Sequence, residues 1–183
     1  MWNAKNKISA VALIISSAFA TNAFAIDGTI TINGKITDTT CTVSVDNASA
    51  STTVTLPTIS ASALPAGTTA GTTPFSISLK DCAGSALKAS TNFEAGAFTD
   101  ATTGRLNIDT AAAGAASNVQ VQLLNADRQA IVAGASQAAG QNDIAVDLSS
   151  GTATLNYFAQ YYAAGTVGAG AVATQVDYTI TYE

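Results

Sequence analysis

The stretch Ile26-Asp-Gly-Thr-Ile-Thr-Ile-Asn-Gly-Lys-Ile36 alternates with strict period two. Ile26, Gly28, Ile30, Ile32, Gly34 and Ile36 occupy one phase, and Asp27, Thr29, Thr31, Asn33 and Lys35 the other. A helix repeats every ~3.6 residues and scatters such a set around its surface, so this pattern reads as a strand with one buried face. No two-residue hairpin turn joins it to a neighbouring strand. A long strand of this kind without a local mate needs an edge supplied from elsewhere.

The residues before it read as an export signal. Lys5 and Lys7 precede an apolar run from Ile8 to Ala20, followed by the small-x-small site Ala23-Phe24-Ala25. The run is about 13 residues, against the roughly 20 a membrane-spanning helix needs. Ala18-Phe19-Ala20 is a second small-x-small site, but cleavage there cuts into the apolar core, so cleavage before Ile26 is favoured. The chain thus divides into a signal peptide, 1–25, an N-terminal strand-forming extension, 26–36, and one domain, 37–183, with no repeat or linker inside it. Nothing else in the sequence is long and apolar enough to insert in a membrane.

Export bears on the two cysteines, Cys41 and Cys82, the only ones in the chain. A disulfide is the favoured reading over free or metal-bound thiols. With no histidine, no four-ligand zinc set forms without carboxylates. Without Lys5 and Lys7, five basic side chains face twelve acidic ones, a net charge of −7. Such a surface repels nucleic acid and anionic lipid.

The rest of the chain alternates in short runs. Cys41–Val45 continues the pattern, Thr53–Leu56 with Ile59 reads as a strand, and Pro57 marks an edge or bulge there. A short helical turn fits Ser60–Leu64. Phe75–Leu79, Asn118–Leu123, Ile144–Leu148, Leu155–Tyr162 and Val176–Tyr182 are further alternating strands, with a weaker one near Phe93 and Phe98. Gly165–Gly170 is expected to interrupt the strand before it. Seven or more short strands with polar turns point to an antiparallel β-sandwich.

Little here suggests catalysis. The absence of histidine excludes Ser-His-Asp and Cys-His arrangements, and there is no Gly-x-Ser-x-Gly elbow or Walker loop. The cluster Gly165, Gly168, Gly170 lacks the Gly-x-Gly-x-x-Gly spacing and reads as a β-turn connection. Asp143 and Asp147 are expected on one face of a strand along a solvated edge, better as surface groups than as an acid–base pair. Tyr157, Tyr161 and Tyr162 suit a sugar-stacking platform, but core and rim of a sandwich is the favoured reading. No cofactor is implied.

Taken together, Gly28–Cys41, Phe75–Cys82, Tyr161–Gly165 and Val176–Glu183 resemble the major subunits of chaperone–usher pili, the type 1 fimbrial family. The resemblance extends over the whole mature chain, including a glycine fourteenth from the end, Gly170, and a penultimate tyrosine, Tyr182. It implies an all-β, incomplete immunoglobulin-like sandwich that lacks its last strand. The partners it implies are neighbouring copies of the chain, a periplasmic chaperone, an outer-membrane usher, and tip or adaptor subunits. The residues implied as donor strand are Ile26, Gly28, Ile30, Ile32 and Gly34. Those implied at the edge of the receiving groove are Gly170, Val176, Tyr178, Ile180 and Tyr182. The expected function is a structural subunit of a surface fimbria that supports adhesion and biofilm formation. The alternatives are a minor, adaptor or receptor-binding subunit of the same fimbria, or a secreted glycan-binding sandwich.

Overall fold

The computed structural model describes residues 30–31 and 34–183. The signal-peptide reading and, of the donor segment, Ile26, Gly28 and Ile32 lie outside the described residues.

Eight antiparallel strands build the domain: β1 (Thr40–Val45), β2 (Thr69–Ala83), β3 (Lys88–Phe93), β4 (Leu106–Asn107), β5 (Ser117–Leu124), β6 (Val146–Asp147), β7 (Ala153–Gly168) and β8 (Tyr178–Tyr182). One sheet runs β1-β2-β7-β5-β4 and the other β6-β3-β8. The alternation seen in the sequence sets the faces. Ile77 and Leu79 of β2, Val121 and Leu123 of β5, and Leu155, Tyr157 and Ala159 of β7 share the main core with Ala89 and Phe93 of β3. A smaller core of Leu64, Ile108, Ala116, Val119 and Ala163 lies where β5 begins and β7 ends.

The domain has two ends that matter below. At one, Cys41 of β1 is bonded to Cys82 of β2, beside a bulge in their ladder between Thr40 and Thr42. The Thr39 hydroxyl accepts from the Ala86 N–H at 3.1 Å, and Leu87 N–H donates to the Glu183 carbonyl at 2.7 Å. The extension therefore joins the domain where the chain also finishes. The other end carries the smaller core.

Four expectations need correction. Residues 53–59 form no strand, because no neighbouring backbone completes a ladder with them among the described residues. Ile144–Leu148 shrinks to the two-residue β6. Gly165–Gly170 does not interrupt β7, which runs on to Gly168. There a Cβ on Gly168 would meet the Ser117 hydroxyl of β5, its partner across the ladder, so the glycine leaves room for that side chain. The fourth is the strand expected near Phe93 and Phe98: β3 ends at Phe93 and Phe98 lies in a turn, while Ser90, Thr91 and Phe93 are all buried, so β3 shows little alternation.

Candidate functional site

The last twelve residues keep the alternation strictly: Val172, Thr174, Val176, Tyr178, Ile180 and Tyr182 face inward and the residues between them face solvent. Only Tyr178–Tyr182 form ladder pairs, with Phe93 to Ala89 of β3. Glu183 exchanges backbone hydrogen bonds with Lys88, and Glu94 N–H donates to the Asp177 carbonyl. Residues alternate between bonded and non-bonded pairs along an antiparallel ladder. The bonded positions on β8 are thus the odd-numbered ones, and the N–H and C=O groups of Tyr178, Ile180 and Tyr182 point away from the sheet. Among the described residues nothing pairs with them.

Burial makes the same edge visible in the side chains. Ala89, Thr91 and Phe93 of β3 are 0–1% exposed. The residues directly opposite on β8, Tyr182, Ile180 and Tyr178, are only partly buried, though they pack on the same core. Desolvation raises the pKa of both the Tyr178 and Tyr182 hydroxyls. An inward face that is half covered, next to an unpaired backbone edge, is an open seam along β8.

Its opposite lip is the segment 50–59. Leu56 packs on the main core and Ile59 on the smaller one, each partly buried. This segment is held by side chains: the Tyr178 hydroxyl donates to the Ala50 carbonyl at 2.7 Å, and the Tyr161 hydroxyl to the Pro57 carbonyl at 3.3 Å. At the end away from the disulfide the groove opens into a pocket of about 350 Å³, lined by Ile59, Leu64, Val119, Tyr161 and Val172 among others.

Of the residues expected at the groove edge, Tyr178, Ile180 and Tyr182 lie on β8. Val176 faces the core but precedes the ladder. Gly170 lies at the pocket, where a Cβ would meet Ala116 N at 2.4 Å and the Ala115 carbonyl carbon at 2.5 Å; its small size is required by the 114–116 backbone. Of the residues expected as donor strand, the two described, Ile30 and Gly34, are exposed, Ile30 at 89%; Ile36, which follows them, is fully exposed.

The tyrosines do not make one platform. Tyr157 is in the core, Tyr161 faces the smaller core, and Tyr162 points the other way beneath the Arg105 guanidinium, 3.6 Å from its ring centre. Nor do Asp143 and Asp147 share a solvated edge. Asp147 is solvent-facing, and hydrogen bonds from Ser149 lower its pKa. Asp143 is partly buried, accepting from Thr91 N–H at 2.6 Å, with its other oxygen 2.9 Å from the Tyr157 hydroxyl.

An antiparallel sandwich open along one long seam is an immunoglobulin-like domain short of its last strand, the fold of chaperone–usher pilins. Solved structures agree. The P pilus rod subunit PapA superposes with a TM-score of 0.59 at 18% identity, over 78% of this chain and 99% of that one. An antigen and type I fimbria protein of Burkholderia pseudomallei gives 0.54 at 28% identity, over 80% and 97%.

The chain belongs to the type-1 fimbrial family: the family model "Type-1 fimbrial protein, A" matches residues 56–183. It is 43% identical to the F17 fimbrial protein of Escherichia coli, over 97% of this chain and 99% of that protein. It is also 45% identical to the major fimbrial subunit SMF-1 of Stenotrophomonas maltophilia, over 86% and 94%. This is a family of structural fimbrial subunits rather than enzymes.

Proposed function

We propose that the chain polymerises into a surface fimbria by lending residues 26–36 to the groove of a neighbouring copy. The observation that carries this reading is the half-covered inward row Tyr178, Ile180, Tyr182 beside an unpaired backbone edge. The extension has what that edge lacks. At about 3.3 Å per residue its eleven residues span roughly 36 Å, matching the run from Ala171 to Tyr182. Three buried isoleucines contribute about 5–9 kcal/mol, and each backbone hydrogen bond adds of order 1 kcal/mol. This is strand addition used for assembly.

Direction follows from the ends of the domain. The extension leaves from the disulfide end. Inserted parallel to β8, it would bring its own domain to the neighbour's disulfide end, where the neighbour's extension also departs, and the two would collide. Inserted antiparallel, it brings disulfide end to pocket end, and the contact repeats head to tail without closing. Ile30, Ile32 and Gly34 then lie along the groove, and the fully exposed Ile36 reaches the neighbour's pocket between Ile59 and Val172. Before assembly a periplasmic chaperone covers the edge, and an outer-membrane usher is where the neighbour's extension replaces it. The resulting fimbria supports adhesion and biofilm formation.

The test moves residues 26–36 to the C-terminus through a short turn and removes the original copy. A folded monomer, more heat-stable than the open subunit, is expected. An aggregating product, or one no more stable, would overturn the reading. In the full system, loss of Ile26–Asn33 is expected to abolish a subunit's capacity to act as donor.

A further inference from the structure

The three-stranded sheet has a second edge, and it is closed in an unusual way. The odd-numbered residues of β3, from Ala89 onward, turn their backbone groups away from β8. The segment 141–148 meets them one after another. Leu148 N–H donates to the Leu87 carbonyl and Val146 pairs with Ala89. The backbone of this segment then leaves the sheet and its side chains reach back instead, joined at the Phe93 carbonyl by the Gly134 N–H at 2.9 Å. Asp143 Oδ2 accepts from Thr91 N–H at 2.6 Å. Gln141 Oε1 accepts from Phe93 N–H at 3.0 Å, and Gln141 Nε2 donates to the Phe93 carbonyl at 2.9 Å.

Both side chains are anchored from behind. Gln141 is 0% exposed, and its Nε2 also lies 2.6 Å from the Ala135 carbonyl and 3.1 Å from Asn92 Oδ1. Asp143 is tied across the core to β7 by the Tyr157 hydroxyl, which is 2.8 Å from Thr91 Oγ1 as well. A strand arriving at this edge would have to expel a carboxylate and a buried amide and leave their partners unmatched, each a substantial cost.

We infer that Gln141 and Asp143 seal this second edge, so that a donor strand is accepted along β8 alone and the filament does not branch. This rests on growth by strand insertion. Both edges of one sheet offer backbone groups at the same spacing, and backbone pairing does not read sequence. The donor segment of a second copy is therefore the occupant an unsealed edge would take. Closure by side chains leaves no new backbone edge beyond it, as a full-length sixth strand would.

The experiment uses filaments of the full chain and a fluorescent peptide of residues 26–36. In wild-type filaments the β8 grooves are filled, and peptide is expected only at filament ends. Filaments of Gln141→Ala/Asp143→Ala are expected to take up on the order of ten times as much peptide per subunit, with branching. Asp143→Asn keeps an acceptor for Thr91 N–H and should behave as wild type, and Val121→Ala, which weakens the core from the other sheet, should take up no more peptide than wild type, so that uptake reports the open edge and not lost stability. If the double variant does not fold, Asp143→Ala alone, with Gln141 and β6 intact, is read the same way. Variant filaments that bind no more peptide than wild type overturn the inference. Filaments formed by subunits lacking Ile26–Asn33 overturn the insertion reading instead.

Discussion

Asp143 is the residue at which the balance of forces is plainest. Burial pushes its pKa up, against hydrogen bonds from Thr91 N–H, the Tyr157 hydroxyl and Ile144 N–H that pull it down, and burial wins. The folded protein thus holds this proton more tightly than the unfolded chain does. Its contribution to stability is complete below the unfolded carboxyl value of roughly 3.9 and is lost as pH rises through the folded value. At neutral pH the charge weighs against folding, even while it seals the sheet edge. Asp143→Asn should therefore melt at a higher temperature than wild type at neutral pH, with the gap closing as pH falls into the carboxylate range. A variant no more stable at neutral pH would show that the charged hydrogen bonds outweigh the burial.

At the scale of elements, legibility in the sequence tracks how each strand is buried. β8 has one wet face and one face turned to the core, so period two marks it clearly. β3 is covered on both sides and carries Lys88-Ala-Ser-Thr-Asn-Phe93, a run with no readable period. The groove's second lip shows the converse. Residues 53–59 have the side-chain pattern of a strand without the ladder, because alternation reports burial and not pairing. Gln141 and Asp143 were beyond reach of any local pattern, since their contacts with β3 span 48 and 52 residues. The unpaired edge also sets an expectation for dynamics. The amides of Tyr178, Ile180 and Tyr182 should exchange quickly in an open subunit and slowly in a filament, while those of Thr179 and Thr181 change little. Equal exchange of both sets in the two states would place the inserted strand elsewhere.

For the whole molecule, the fold is one in which completeness belongs to the polymer. The domain buries a core of its own, with Ile77, Leu79, Phe93 and Leu155 at 0–1% exposure, yet one seam stays half wet. In the proposed assembly both partners of the contact lie in one chain: the segment before Thr39 meets the domain at the disulfide end, and the pocket lies at the other. Each copy therefore repeats the same contact, and length is set by supply rather than by geometry.

A filament built this way is also a rope, and the Cys41–Cys82 bond lies where the load enters. Tension carried by an inserted extension reaches its own domain at Ile36–Thr39, next to Cys41. The bond passes that tension straight to β2, which is registered with β7 at nine positions in the middle of the larger sheet. Without the bond, pulling would first strip β1 from β2 and then draw out the chain between the two cysteines. Their sequence separation is 41, so on the order of 140 Å of slack per subunit would be released. Cys41→Ser/Cys82→Ser subunits should lose ~4 kcal/mol of stability. In single-filament stretching, their filaments should lengthen at lower force than oxidised ones, with steps of about that size.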